Sequence, residues 1–402
     1  MKIRRVGQPI AGRVSAQQEN LLRAAVLDEA DDARHAYLQW AGNVDWDEDF
    51  DDGTYRLLPQ LFINLDGAGV EDATIGRLRG VYRRSWYRNQ RFMSTLSVIA
   101  SSLAAAGVDI VLLGDVALIN GVYKKLGARY VTRLDLLVDP VSVADALDHL
   151  GKLGWVSEPL CDDDLRYLSY KELTNTDGEL IRLYWHPLHK KCTDDSYSFS
   201  TFGVRQDNDT TRFRVPTHAG LLSHLVVSGY EAGDSRLLAD IVGTYSIVSS
   251  GDVDWEAALR LADEYSFNLR LYSVCCYLRS KLSAPIPERV VHELADRNVN
   301  APDRFERRLA RRSAESPDTF FGPLTRLLAQ YTRYTVGSGA TQTIIKLPAF
   351  LRHHYRTRSI ARIIATVFVN GARRIARLGT RAPVQSPSQI MESNRLGDNR
   401  EL

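Results

Sequence analysis

The 402-residue sequence predicts an α+β protein, and three observations carry that reading. Residues 110–138, IVLLGDVALINGVYKKLGARYVTRLDLLV, read as an apolar strand, a Gly114-Asp115 turn, a helical stretch and a second strand with Asp135 on one face. Two further strands, at 167–173 and 180–185, flank the polar turn Asn175-Thr176-Asp177-Gly178, a good hairpin signal. Before residue 107 and after residue 217, apolar residues recur at helical spacing. The expected organisation is therefore an N-terminal helical region (1–106), a mixed α+β core (107–215), a helical domain (216–300), a basic helical region (301–378) and a disordered tail (379–402).

Taken in order, residues 20–42 place Leu21, Leu22, Ala25, Val26 and Ala30 at helical spacing. The acidic stretch 45–52 alternates Asp47, Asp49 and Asp51 like the start of a calcium loop. Its glycine, Gly53, comes one place late, and Leu58 stands where a bidentate glutamate is needed, so a solvated loop is expected instead. Residues 57–65 read as a buried helix or turn. A long helix follows over 73–106, ended by Gly107. Its first half carries Arg77, Arg79, Arg83, Arg84, Arg88 and Arg91, either a nucleic-acid face or a solvated flank whose aliphatic stems cover the core; the second is preferred.

After the core stretch, 141–153 reads as an amphipathic helix, Gly154-Trp155-Val156 opens a strand, and Asp162-Asp163-Asp164 reads as a solvated charge run. Helices then start near Thr217, Arg236 and Asp254, the last with Asp254 as its N-cap.

A formal net charge of +2 excludes a polyanion-binding character for the molecule as a whole, so any basic surface must be local. One local basic run is Arg352, Arg356, Arg358, Arg362, Arg373, Arg374, Arg377 and Arg381, with Ile360, Ile363, Ile364, Val367 and Phe368 on one helical face. A helix of that kind lies on an anionic membrane or on nucleic acid, or docks on the core with a solvated basic flank. No apolar run reaches the roughly 18 residues of a membrane span. The N-terminus lacks the apolar stretch of a secretory signal, and the four cysteines show no C-x-x-C spacing. A cytoplasmic protein with reduced thiols is the expectation. His186, His189 and Cys192 have a spacing found in zinc sites, but no fourth ligand is near and Pro187 breaks the geometry. His224, on an apolar helix face, is expected to be a core histidine.

The pattern at 114–138 resembles the uncharacterised nucleotidyltransferase family of the polymerase-β-like superfamily. Members carry a lysine-glycine turn after an apolar strand, then an arginine, an Asp-apolar-Asp strand ending in Leu-Val, and a later acidic residue ahead of an apolar-His-Trp sequence. Here the turn is Gly114-Asp115, the arginine is Arg129, the first strand is Arg133-Leu134-Asp135-Leu136-Leu137-Val138 and the later strand is Arg182-Leu183-Tyr184-Trp185. Segments around 57–65, His224, Arg236 to Asp240 and Val253 to Glu256 also resemble the family, so the likeness covers roughly residues 20 to 375. It implies a polymerase-β-like core, a mixed sheet with helices, with Mg²⁺ and a nucleoside triphosphate as cofactor and substrate wherever a member is active.

The chemistry so implied holds Mg²⁺ between carboxylates and the triphosphate, and an Asp-x-Asp strand presents two oxygen ligands on one face. In this chain Arg133 and Arg182 stand in two of the three carboxylate positions and only Asp135 is retained. A guanidinium cannot ligate a metal. Asp115 would repel a phosphate but would pair with arginine, so Asp115, Asp135, Arg133 and Arg182 are expected to form an ion-pair cluster in the former metal site. Gly114, Asp115, Arg129, Arg133 and Arg182 are thus the expected ligand-binding residues. Asp135 is the retained catalytic carboxylate, a metal ligand only if the protein is active. The first functional expectation is a non-catalytic protein that binds a nucleotide or another phosphorylated small molecule. The alternatives are an active enzyme moving a nucleotidyl group onto a small molecule, sugar or protein, and an interaction protein that uses the basic helix 352–381 on a membrane or nucleic acid.

Overall fold

In a computed structural model the described residues are 3, 14–161, 163–188, 202–205, 213–229, 236–298, 322–335, 338, 340–357 and 359. The chain opens with α1 (Ala16–Val26), started by a capping box in which the Ser15 hydroxyl accepts from the Gln18 N–H and the Gln18 side chain accepts from the Ser15 N–H. The periodic stretch 20–42 is thereby two helices, since α1 stops before α2 (Ala30–Ala41) begins. Asp51, expected in a solvated loop, caps α3 (Asp52–Gly67) by accepting from the Thr54 N–H. The long helix α4 (Ile75–Ala105) is present, and Gly107 follows it at φ +74°, the left-handed conformation a helix stop needs.

Among the described residues six strands form one mixed sheet: β1 (Val111–Leu113), β2 (Leu134–Leu137), β3 (Tyr170–Thr174), β4 (Leu180–Tyr184), β5 (Gly203–Arg205) and β6 (Arg214–Pro216). Their spatial order is β3-β4-β2-β1-β6-β5. β1 and β2 run antiparallel, β2 and β4 parallel, and the hairpin β3–β4 antiparallel as the turn at 175–178 predicts. β6 adds to the free side of β1 in parallel, and β5 pairs with β6. Neither of these short strands is visible in the sequence pattern, and β6 runs one residue beyond the expected boundary at 215. The expected strand at 154–156 is reduced to a single bridge between Val156 and Thr174. Val156 is exposed there, and the nearby Pro159 has no N–H to extend a ladder.

Between the strands lie α5 (Gly114–Gly121), α6 (Val143–Lys152) and α7 (Asp164–Tyr167). Helices α8 (His218–Ser228), α9 (Leu237–Ser249), α10 (Trp255–Glu264), α11 (Asn268–Leu282) and α12 (Glu288–Asp296) follow. Thr217 caps α8 and Asp254 caps α10, each accepting a backbone N–H three residues on. One apolar cluster runs from Val14 to Leu294 and joins the N-terminal helices, the sheet and α8–α12. The central strands β1 and β2 are buried at every position, as strands covered on both faces must be. The last described helices, α13 (Gly322–Tyr334) and α14 (Ala340–His354), have their own small cluster of Leu327, Tyr331, Tyr334 and Phe350 against Tyr167. Among the described residues no helix is long and apolar enough to cross a membrane. Of the basic run, Arg358 and everything from Ile360 onward lie outside the described residues, as does the expected tail.

Candidate functional site

The site is built where β1 ends. Gly114 has φ +58°, and a Cβ placed on it would stand 2.5 Å from Asp135 Oδ2. The register explains the closeness, because Leu113 lies directly opposite Asp135 across the β1–β2 ladder. Glycine is therefore required twice at this position, for the left-handed backbone and for the carboxylate it faces.

Continuing across the sheet, Asp135 is in register with Arg182 on β4, and Arg182 with Glu172 on β3. These three side chains and Arg133 make a row of alternating sign. Arg133 Nε donates to Asp135 Oδ1 at 2.7 Å, with both side chains largely buried. Arg182 Nε donates to Glu172 Oε1 at 2.7 Å, and its guanidinium lies over the Tyr170 ring at 4.8 Å. Burial disfavours the charged form of Arg182, but Tyr184, Tyr170, Asp135 and the Glu172 hydrogen bond outweigh it and raise its pKa above the ordinary value. Tyr184 stands two residues along β4, at the position of the family's histidine. Burial first, then the Asp135 charge, pushes its hydroxyl above the usual phenol range.

A second charged group lies beneath the row. Asp115, in the first turn of α5, points inward, and its Oδ1 accepts from Arg129 Nε at 2.8 Å and lies 3.2 Å from Arg236 Nη2. Arg129 Nη2 also donates to Asp240 Oδ1 at 2.6 Å, and its Nη1 donates to the Ala239 carbonyl. Arg236 precedes α9 and Asp240 is in the first turn of that helix, so the network ties α9 to α5. On the other side Asn89 of α4 donates to the Arg129 carbonyl at 2.6 Å and fixes the segment that carries the guanidinium. Burial alone would raise Asp115, yet Arg129, Arg236 and Arg133 together hold its carboxyl well below the usual range. For Arg129 burial opposes the charge, and Asp115 and Asp240 more than restore it.

The expected four-membered cluster is thus corrected. Arg133 and Asp135 do pair, but Asp115 is taken by Arg129 and Arg236, and Arg182 by Glu172. The reason is direction: Asp115 sits on the inner side of α5, whereas Arg133 and Arg182 belong to the sheet row. Sequence reasoning missed Glu172, Tyr170, Arg236 and Asp240 as partners. The alternation of Tyr170 and Glu172 along β3 was the available signal for two of them.

Other expected features fall outside this site. His224 is buried in the core, its Nδ1 is 2.5 Å from the Pro187 carbonyl oxygen, and burial lowers its pKa. His186 is buried too, while His189 and Cys192 lie outside the described residues. Asp164, expected to be solvated, is buried and accepts from the Cys161 N–H and Lys171 Nζ and pairs with His353 Nε2 at 2.8 Å.

The donor set does not suit Mg²⁺. Among the described residues no three His, Cys, Asp or Glu side chains converge on a point. Asp135 is the one carboxylate at the family's position, and its Oδ1 is already engaged by Arg133. An ion that demands several well-placed oxygens finds a single oxygen here, against a cation.

A mixed sheet with a glycine turn at the end of one central strand and a carboxylate on the next defines a nucleotidyltransferase-like α+β protein. The family described as Uncharacterised nucleotidyltransferase matches residues 54–282, more than half of the chain, and the chain belongs to that family. It is also similar to a crystal structure of an antigenic nucleotidyltransferase-like protein from Paracoccidioides brasiliensis, at 16% identity and a TM-score of 0.29, over 50% of this chain and 95% of that one. Comparison with curated proteins finds no match.

Proposed function

We propose that this chain is a non-catalytic member of its nucleotidyltransferase family that binds a nucleotide or another phosphorylated small molecule without a metal. The observation that carries the proposal is Arg133 Nε on Asp135 Oδ1 at 2.7 Å, a guanidinium seated on the carboxylate where the family's chemistry calls for a divalent cation. Arg133 and Arg182 each spend only Nε on a carboxylate, so among the described residues the Nη1 and Nη2 atoms of both make no hydrogen bond. Two half-buried guanidinium forks on one sheet row suit the oxygens of a phosphate. The Tyr170 ring lies face-on under the Arg182 guanidinium at 4.8 Å and holds it in place.

Calorimetric titration with ATP, with magnesium and with excess chelator, tests the reading. Equal affinity in both buffers, reduced at least tenfold by Arg182→Ala, is the expected result. Binding that vanishes on chelation and in Asp135→Ala would instead establish a working metal site and sink the proposal.

A further inference from the structure

The helix α4 carries a surface that neither the core nor the candidate site uses. Its 31 residues include six arginines and no Asp or Glu. A merely solvated helix gains from opposite charges three or four residues apart, and like charges at that spacing cost stability. Leu78, Ser85, Asn89, Phe92 and Leu96 mark its buried face. Away from that face Arg83, Arg84, Trp86 and Tyr87 are exposed, Trp86 at 44% and Tyr87 at 65%. Arg83 and Tyr87 point outward, Arg84 lies on the flank of Arg88, and Trp86 lies on the other flank. Arg77, Arg79 and Arg91 are paired with Asp47, Asp66 and Glu179. Among the described residues Arg83, Arg84 and Arg88 form no ion pair with a carboxylate.

The surface extends off the helix. The Arg88 guanidinium lies over the Tyr130 ring at 5.1 Å, and Tyr130 meets Tyr55 of α3 edge-on at 5.5 Å. Burial raises the Tyr55 hydroxyl, and the charge of Arg84, its hydrogen bond and the charge of Arg88 oppose that rise. Arg88 Nε donates to the Val131 carbonyl at 2.8 Å, so the strip ends on the segment that leads directly into Arg133.

We propose that this arginine and aromatic face of α4 binds single-stranded nucleic acid. The guanidinium groups of Arg83, Arg84 and Arg88, without a carboxylate partner among the described residues, suit successive phosphates, and the exposed Trp86 and Tyr87 rings suit unpaired bases, whose flat faces a duplex hides. A lipid surface fits less well. The exposed large apolar side chains of α4 are Trp86, Tyr87 and Val98, and the other outward positions 79, 80, 83, 90, 94 and 97 are Arg, Gly, Arg, Gln, Ser and Ser, short of the continuous aliphatic face that interfacial helices bury. An apolar protein partner would have to desolvate unpaired guanidinium groups.

The test is fluorescence anisotropy of the full chain with a labelled oligouridylate of about 20 nucleotides, its duplex form, and heparin as competitor, at about 50 and 200 mM salt. The single strand is expected to bind at least tenfold more tightly than the duplex and to weaken with salt with a log–log slope of about −0.7 per arginine engaged. Trp86→Ala with Tyr87→Ala is expected to weaken binding roughly tenfold with the slope unchanged. Arg83→Ala with Arg84→Ala is expected to flatten the slope. All four side chains are exposed, and an unchanged melting temperature confirms that each variant is folded. No binding of the single strand at low salt overturns the proposal. So does equal binding of strand, duplex and heparin with the aromatic variants unaffected, which marks a general polyanion surface. Binding to phosphatidylserine vesicles in place of the strand also overturns it.

Discussion

Arg129 is the residue whose loss the structure makes most costly. Its guanidinium is buried, donates to Asp115 Oδ1 and Asp240 Oδ1, and also donates to the Ala239 carbonyl. Arg129→Met keeps the volume of the aliphatic stem and removes every one of these donors. Breaking a buried ion pair by deleting one partner costs about 3–5 kcal/mol. The stranded carbonyl adds about 1 kcal/mol or more. Arg236, 3.2 Å from Asp115 and 3.6 Å from Asp240, retains part of the compensation. A loss of about 4 kcal/mol remains, a large share of the about 5–15 kcal/mol that holds a domain together. In a thermal melt that is a fall of about 8–16 °C. Arg129→Lys is expected to recover only a fraction, because one ammonium cannot serve two carboxylates and a carbonyl with a planar fork.

The pH dependence separates the electrostatic account from a packing account. In the wild type the folded-state pKa of Asp115 is depressed, so its contribution is fully present above the unfolded carboxylate value and is lost only as pH falls through the lower folded value. In Arg129→Met burial prevails and the Asp115 pKa rises. The folded variant then takes up a proton that the unfolded chain does not, and the deficit shrinks as pH drops from 7.5 toward about 4.5. Urea unfolding of both proteins across that range is the assay. A deficit below about 1 kcal/mol at neutral pH, or one that stays constant down to pH 4.5, refutes the reasoning.

Three further outcomes follow from other parts of the site. Gly114→Ala is expected to destabilise by about 1–3 kcal/mol, from the left-handed backbone and from the Cβ meeting Asp135 Oδ2, and a melt as stable as wild type would remove the close approach as a constraint. Arg133→Asp with Arg182→Asp restores carboxylates beside Asp135, and electron paramagnetic resonance is expected to detect Mn²⁺ bound at about millimolar affinity, whereas wild type binds none. If the variant stays silent, the charge row does not stand in a metal site. Asp164→Ala strands Lys171 and frees His353, so it is expected to loosen α13–α14 and speed limited proteolysis there, with His353→Ala doing less because the Asp164–Lys171 pair survives. Equal rates for both variants would count against that ranking.

Much of the frame was legible in the sequence because it depends on local pattern. The apolar run at 110–113, the glycine turn, the long helix ending at Gly107 and the hairpin turn at 175–178 each announce themselves within a few residues, and each stands close to its expected place. What was not legible depends on contacts distant in sequence. Arg129 and Asp240 are 111 residues apart, and nothing local says that the two meet. The partner of Arg182 is set by the β3–β4 register, which makes Glu172 its neighbour, while Asp135 on the other side is already taken by Arg133. Asp164 reads as one of three surface acids, and only the arrival of Lys171 and His353 explains its burial. β5 and β6 are three residues each, too short for a period-2 pattern to show.

The substitutions at this site make electrostatic sense as a set. Against the carboxylates that the family resemblance implies at 133 and 182, the two guanidinium groups differ in formal charge by four units, the charge of a pair of divalent cations. On the proposed non-catalytic reading, Arg133 and Arg182 supply from side chains the positive charge that bound cations would otherwise bring. A single exchange would have left the row unbalanced. With both, Glu172, Arg182, Asp135 and Arg133 alternate across the sheet, and the inner network of Asp115, Arg129, Asp240 and Arg236 is neutral by itself. Asp115 belongs to the same logic. A negative charge at the glycine turn would oppose a phosphate brought there by a metal, but it is stabilised once Arg129 and Arg236 hold it inward. A bound metal can be withdrawn and an arginine cannot, so the positive charge beside Asp135 is fixed by the sequence itself.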